Sequence, residues 1–332
     1  VAQATGNLPS RAVEAAAPPA RAIAWLRQVS SSECVLADVT HERPNCARQQ
    51  DRLGAARRIT LMDRALLVGI NSYPGAPLAG CLNDVTDMAT FLIGQRGFPA
   101  ESIRLLTDSR ATTAAILERL RWLLEGLAPG DRVLFHYSGH GTQIALRDES
   151  GVVDRMDDAI CPVDFDWTEP HMIAGVQFKQ IFAAVPKGVE FVWISDSCHS
   201  GALDRVVPGS EAPSVARQRF LAPPADLAWR AICALEKKIS PADFVRATDG
   251  LSLALVSACK SDQTAADAKF DGRANGALTY YLLQALNKSD SRKRPLTSVV
   301  SEVRSSLKKA RYQQEPQMAG SRETMGKAFL AK

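Results

Sequence analysis

The sequence has no cysteine pair at C-x-x-C spacing, no apolar run near the roughly 18 residues of a membrane-spanning helix, and no sustained block of one charge. The first absence, with an odd count of seven cysteines, argues against a zinc site and against a disulfide framework. Cys34 and Cys46 share one polar stretch and are able to pair in an exported protein, but reduced thiols and a cytoplasmic location are the simpler expectation. The second absence removes a helical membrane span, and the first residues are not a basic stretch followed by an apolar segment. A soluble protein without a membrane partner is therefore expected. The third leaves 40 basic against 36 acidic residues, a formal charge of +4. The densest basic stretch, "SRKRP" at Ser291–Pro295, lacks interleaved aromatics, so nucleic acid is not an expected partner.

What is present suits a large α/β domain. The chain has 332 residues and is 46% hydrophobic, enough to fill a core. Residues 1–60 are rich in alanine and arginine, are broken by Pro9, Pro18, Pro19 and Pro44, and read as a pro-segment or appendage. Residues 61–332 read as the domain proper. Short apolar runs ("RALLVGI", "SIRLLT", "RVLFHYS", "VEFVWISD", "LSLALVS") alternate with amphipathic stretches, the pattern of a mostly parallel sheet covered by helices. "NDVTDMATFLIGQ" is expected to open a helix capped by Asn83 or Asp84. A connection at 201–250, with prolines and basic residues and one helical stretch, is long enough to be functional or mobile.

Two strands end unusually. "HYSGHG" delivers His140 between Gly139 and Gly141, and "WISDSCHSG" delivers Cys198 as a thiol expected at the surface. In open α/β sheets, ligands bind beyond the carboxyl ends of the strands, so these tips are candidates for one crevice. Imidazole beside thiol is a nucleophilic pair, because the base takes the proton and the thiolate attacks. Gly141 has no side chain to obstruct a peptide, and the Gly141 and Cys198 amides are candidate donors to an oxyanion. His199 is expected to pack or line a loop, and His136 to lie within the sheet.

"HYSGHGTQ" and "DSCHSG" resemble the histidine and cysteine motifs of metacaspases, caspase-like cysteine peptidases. "GCLNDV" (Gly80–Val85), "MDDAICPVDF" (Met156–Phe165), "SACKSDQTAADA" (Ser257–Ala268) and "QEPQMAG" (Gln314–Gly320) follow in matching order, so the resemblance spans roughly residues 62–325. It implies a caspase-hemoglobinase fold: α/β, with a mostly parallel central sheet flanked by helices on both faces. It also implies a bacterial-type cysteine endopeptidase that cuts protein or peptide substrates after Arg or Lys with a Cys198–His140 dyad. Asp84 and Asp196 match the family's pocket carboxylates, with Cys81 and Ser138 beside them. Asp196 lies on the same side of its strand as Cys198, since side chains alternate with period two. Asp84 is equally suited to capping its helix.

Calcium is a departure. The resemblance implies carboxylates after the histidine motif and beyond the cysteine. Asp154, Asp157, Asp158 and Asp204 are present, but "HMIAGVQF" (His171–Phe178) holds no acid where a pair is usual. Calcium takes six to eight oxygens, so dependence is expected to be weak or absent, the acids near Asp157 are expected to form a solvated hairpin, and no cofactor is required. The connection is expected to hold an activation segment cut after Arg205, Arg217, Arg219, Lys237 or Lys238, by the enzyme itself or by an upstream protease. A monomer is expected. The rival reading is a caspase-fold scaffold or signalling module without proteolysis, which would need neither dyad nor pocket acids.

Overall fold

The computed structural model describes residues 61–147, 153–199, 216–227, 250–260 and 263–332. The expectations for residues 1–60, Asp204, Arg205, Lys237 and Lys238, and that for the Asp154 side chain, lie outside them.

Strand β1 (Asp63–Gly69, DRALLVG) is apolar on both sides, and both are used. Ala65 and Leu67 enter one buried cluster, Leu66 and Val68 the other. This is the signature of a sheet covered twice. Helix α1 (Cys81–Phe91), β2 (Ile103–Thr107), α2 (Thr113–Leu124) and β3 (Arg132–Ser138) follow, then a hairpin of β4 (Gly141–Arg147) and β5 (Val153–Ile160). Next come β6 (Ile173–Ala174), α3 (Gly175–Phe182), β7 (Glu190–Asp196), β8 (Arg217–Gln218), β9 (Leu253–Ser257), β10 (Ala266–Phe270) and β11 (Arg273–Gly276). The described chain ends with α4 (Ala277–Leu286), α5 (Leu296–Lys309), β12 (Gln317–Gly320) and α6 (Arg322–Met325).

The central sheet runs β12-β9-β7-β3-β1-β2, parallel except for β12 at one edge. Helices α1, α4 and α5 cover one face through Val85, Met88, Leu282 and Val303. The opposite face is covered by α2 and α3 through Ile116, Leu120, Phe178 and Phe182. Sheets β4-β5-β6 and β11-β10-β8 lie beside the main one. The β4-β5 pair is the hairpin expected around Asp157, whereas the short β8, β10, β11 and β12 carry no strong alternating pattern.

Two local expectations are corrected. Helix α1 begins at Cys81 with Gly80 as its cap residue, so Asn83 and Asp84 lie inside the first turn and do not cap it. Distant side chains take the N-terminal amides instead: Asn71 accepts from Cys81 at 2.9 Å, and Asp267 accepts from Ala79 at 2.7 Å and Gly80 at 2.9 Å. The acids near Asp157 are not a solvated hairpin, because Asp157 and Asp158 are buried. Asp157 accepts from the Val176 amide at 2.9 Å, which binds the hairpin to α3, and Asp158 accepts from the Gln143 side-chain amide at 3.1 Å within the hairpin.

At the opposite end of the sheet from the strand tips, Arg132 is buried against Asp63 in a two-point pair at 2.8 and 2.6 Å. Removing one member strands a buried charge. Asp63→Ala is expected to lower stability by about 3–5 kcal/mol, read by urea denaturation. A loss below about 1 kcal/mol, the range of exposed pairs, would contradict that view of the site.

Candidate active site

Strands β3 and β7 pair in parallel with Ser138 opposite Asp196, so the residues after them leave the sheet side by side. His140 and Cys198 therefore share one crevice. Tyr73 holds the imidazole from two directions. Its ring meets the His140 ring edge-on at 4.6 Å, and its hydroxyl oxygen accepts from the His140 amide at 3.1 Å. The Tyr137 hydroxyl donates to the His140 carbonyl at 2.6 Å. His140 Nε2 lies 2.7 Å from the Ala76 carbonyl, which can only accept, so Nε2 carries the proton and Nδ1 is the basic nitrogen. Burial lowers the pKa of the ring, favouring the neutral base, with the Ala76 and Arg219 carbonyls opposing.

Cys198 is wholly buried, which corrects the surface thiol expected from the sequence. The cause is the segment 217–221, which crosses the crevice as an added strand. β8 pairs antiparallel with β10, Arg219 donates to the Ala265 carbonyl at 3.0 Å, and Leu221 donates to the Gly141 carbonyl at 2.9 Å. The Arg219 carbonyl then accepts from two amides, Gly141 and Cys198, both at 3.1 Å. Two converging amides suit a developing oxyanion. A side chain at Gly141 would place its Cβ 2.5 Å from the Cys198 carbonyl and from the His199 ring, so this approach requires glycine. The Cys198 thiol donates to the Gln263 carbonyl at 2.8 Å.

The Arg219 side chain is also wholly buried, in a pocket of carboxylates. Its Nη2 donates to Asp84 at 2.7 Å and to Asp267 at 2.9 Å. Its Nη1 donates to Ser138 Oγ at 2.8 Å and to the Asp196 carbonyl oxygen at 3.0 Å, and lies 3.3 Å from the Asp196 carboxylate. Ser138 relays by donating to Asp84 at 2.8 Å. Asp84 is further held by the Gly276 amide at 2.9 Å and the Asn275 side chain at 3.0 Å, and Asp196 by the Thr279 amide and hydroxyl at 2.8 and 2.7 Å. The Cys81 thiol is hydrogen-bonded to Ser138 and, by burial, stays protonated at neutral pH. Burial is also the largest influence on Asp196, pushing its carboxyl up to about 6, with Arg219 opposing and Asp84 reinforcing.

The structure thus brings His140, Cys198, Gly141, Cys81, Asp84, Ser138 and Asp196 around one segment of chain. His136 and His199 are buried, donate or accept at Thr279 (3.2 Å), Ser197 (3.1 Å) and Ala159 (3.2 Å), and are both lowered to about 4, mainly by desolvation. They are packing residues. Sequence reasoning missed Asp267, Thr279 and Gly276, which lie on or beside the β10-β11 hairpin. A Cβ at Gly276 would collide with the Asp196 carboxylate and the Arg219 guanidinium, so this residue shapes the pocket wall.

Two of the four carboxylates considered for calcium are described. Asp157 and Asp158 spend oxygens on Val176 and Gln143, and no group of three metal-binding side chains occurs among the described residues.

A family model described as "Metacaspase, peptidase C14 domain" matches residues 63–206. Metacaspase-1 of Scheffersomyces stipitis is 34% identical over 295 residues, covering 78% of this chain and 70% of that protein. Metacaspase-1 of Debaryomyces hansenii is 31% identical over 301 residues, covering 78% and 64%, and Metacaspase-1A of Aspergillus oryzae is 31% identical over 287, covering 78% and 67%. These relatives are fungal, so they lend no support to the bacterial origin expected from the sequence. The crystal structure of protein GSU0716 from Geobacter sulfurreducens shares the fold, with a TM-score of 0.58 and 24% identity over 82% of this chain and 97% of that one.

Proposed function

The chain belongs to the metacaspases, a family of C14 cysteine peptidases, and we propose from that premise that it cuts proteins and peptides after arginine or lysine and is regulated by a cut in its own 201–250 connection. The observation that carries this reading is Arg219, which lies as the residue before a scissile bond would: side chain among three carboxylates, carbonyl on two amides, thiol and imidazole beside it. Cys198 Sγ attacks the substrate carbonyl, and its proton passes to His140. The Gly141 and Cys198 amides hold the oxyanion, and His140 returns the proton to the departing amine. Water then hydrolyses the acyl-enzyme, assisted by the same imidazole. A scaffold would have no use for two amides converging on the Arg219 carbonyl beside a thiol and an imidazole.

The test is hydrolysis of arginyl, lysyl and aspartyl fluorogenic peptides. Turnover of the first two with none of the third is expected. No hydrolysis of any, or preference for aspartate, would overturn the reading.

The pocket also sets a pH dependence. With a guanidinium present the Asp196 carboxyl stands near 6, and an empty pocket loses that cation's lowering influence, so it stands higher still. Protonation therefore removes a charge the substrate cation needs. The kcat/KM for an arginyl peptide is expected to fall as pH drops through about 6–7, and Asp196→Asn to move that limb to lower pH, where His140 takes up its proton, at lowered activity. An unchanged acid limb in the variant would contradict this. For calcium, adding 1 mM ion or a chelator is expected to change the rate less than about 2-fold. A tenfold calcium activation would contradict the ligand argument.

A further inference from the structure

We infer that the segment 217–221 is a built-in substrate that plugs the pocket, and that Arg219–Phe220 is the bond whose cleavage opens the enzyme. This rests on the peptidase reading above and goes beyond it in naming the bond and the inhibitor. Of the basic residues in the connection, Arg217 and Arg219 are described. Arg217 is exposed and donates to the Pro77 carbonyl at 2.7 Å, outside the acid pocket, whereas Arg219 is wholly buried in it. The segment is aligned on both sides, by β10 and by the start of β4, in the manner of a peptide added to a sheet edge. Thr142 donates to the Leu221 carbonyl at 2.8 Å, so the grip continues past the bond to be cut.

The thiol hydrogen of Cys198 is directed to the Gln263 carbonyl and Nε2–H of His140 to Ala76, so reaction begins when Sγ turns from Gln263 towards the Arg219 carbon. Sγ then bonds that carbon, the C–N bond to Phe220 breaks, and the nitrogen leaves with a proton from His140. Water adds to the thioester, gives a proton to the imidazole and expels the thiolate, leaving a carboxylate on Arg219. Because both partners lie in one chain, the cut is intramolecular.

The test uses full-length wild type, Phe220→Pro, Arg219→Ala and Arg219→Lys. Intact mass is expected to show wild type split between Arg219 and Phe220 at a rate independent of protein concentration. Arg219→Lys should still be cut there, and Phe220→Pro should stay whole. Phe220→Pro, plugged and uncut, is expected to hydrolyse an arginyl peptide at least 10-fold more slowly than Arg219→Ala, whose pocket is empty. If wild type hydrolyses the peptide but is uncut at this bond, or Phe220→Pro matches Arg219→Ala, the inference fails. Should Arg219→Ala not fold, cut wild type serves as the comparator. Failure of every form on the arginyl peptide would instead sink the peptidase reading.

A different observation carries a second proposal. Strands β7 and β9 are parallel neighbours with Ser195 opposite Ser257, which brings Cys259, unused in the mechanism, beside Cys198. Both thiols donate to the same acceptor, the Gln263 carbonyl, at 2.8 and 3.3 Å. We propose Cys198–Cys259 as an oxidation site for peroxide. The Cys198 thiolate takes one peroxide oxygen, releasing hydroxide, and the Cys259 thiol condenses with the resulting sulfenic acid, releasing water and forming the disulfide. The cut enzyme, treated with hydrogen peroxide, is expected to lose peptidase activity, yield a Cys198–Cys259 linked peptide by mass spectrometry, and recover with dithiothreitol. In excess peroxide Cys259→Ser, which cannot form the disulfide, should pass from the sulfenic to the sulfinic acid as a second peroxide gives up an oxygen and leaves as water, and lose activity without recovery. Equal recovery in both, or no linked peptide, would overturn the proposal.

Discussion

Alanine in place of Cys198 is expected to reduce turnover of an arginyl peptide by at least ~10⁴-fold, and alanine in place of His140 by a comparable factor. Both are best measured in the Arg219→Ala background, where the internal strand no longer fills the pocket. The double variant should be no worse than either single one, because thiol and imidazole act as a unit and the loss of one idles the other. Residual catalysis would come from the amides of Gly141 and Cys198 and from pocket binding, which the substitutions leave in place. Additive losses, with the double variant far below both singles, would mean that the imidazole acts independently of the thiol. Each variant should retain the wild-type melting temperature within a few degrees, since neither side chain anchors an element of the sheet.

Asp84→Asn is expected to lower kcat/KM for arginyl peptides by about 10²–10³-fold. The carboxylate meets Nη2 at 2.7 Å with no exposed surface on either partner, so its removal leaves a desolvated cation with Asp267 and the more distant Asp196 alone, at a cost of about 3–4 kcal/mol. Asparagine retains the shape and most of the contacts to Gly276 and Ser138, which isolates the charge. Asp196→Asn should cost less. Its carboxylate stands 3.3 Å from Nη1 and is already engaged by Thr279. Because the pocket is dry, raising salt should not rescue or mimic the Asp84 effect. Losses that are equal for the two variants, or that vanish at high salt, would argue for a diffuse field in place of a direct pair.

The sheet was legible because its strands are apolar on both faces, and His140 and Cys198 were legible because each follows such a strand at a glycine-flanked tip. Asp84 and Asp196 came from the motif resemblance, and alternation placed Asp196 beside the thiol. Asp267 was not legible. It belongs to β10, a short strand whose pairing with β8 arises from tertiary contacts, and nothing in "TAADAKF" distinguishes a pocket acid from a solvated one. Arg219 stood among several basic residues as a cleavage candidate, since composition cannot say which of them reaches the carboxylates. The helix cap failed for a related reason. The α1 amides are satisfied by Asn71 and Asp267 from elsewhere in the chain, and a local rule has no access to such partners.

The central claim is that the position held by Arg219 is where a substrate's basic residue binds, directly before the thiol. An electrophilic peptidyl-arginyl ketone applied to the Arg219→Ala protein, followed by peptide mapping, tests it most directly. The account predicts one adduct, on Cys198, abolished by Asp84→Asn and absent with an aspartyl ketone of the same reactivity. Equal labelling by the two ketones, or an adduct on Cys81 or Cys259 with Cys198 untouched, would contradict it.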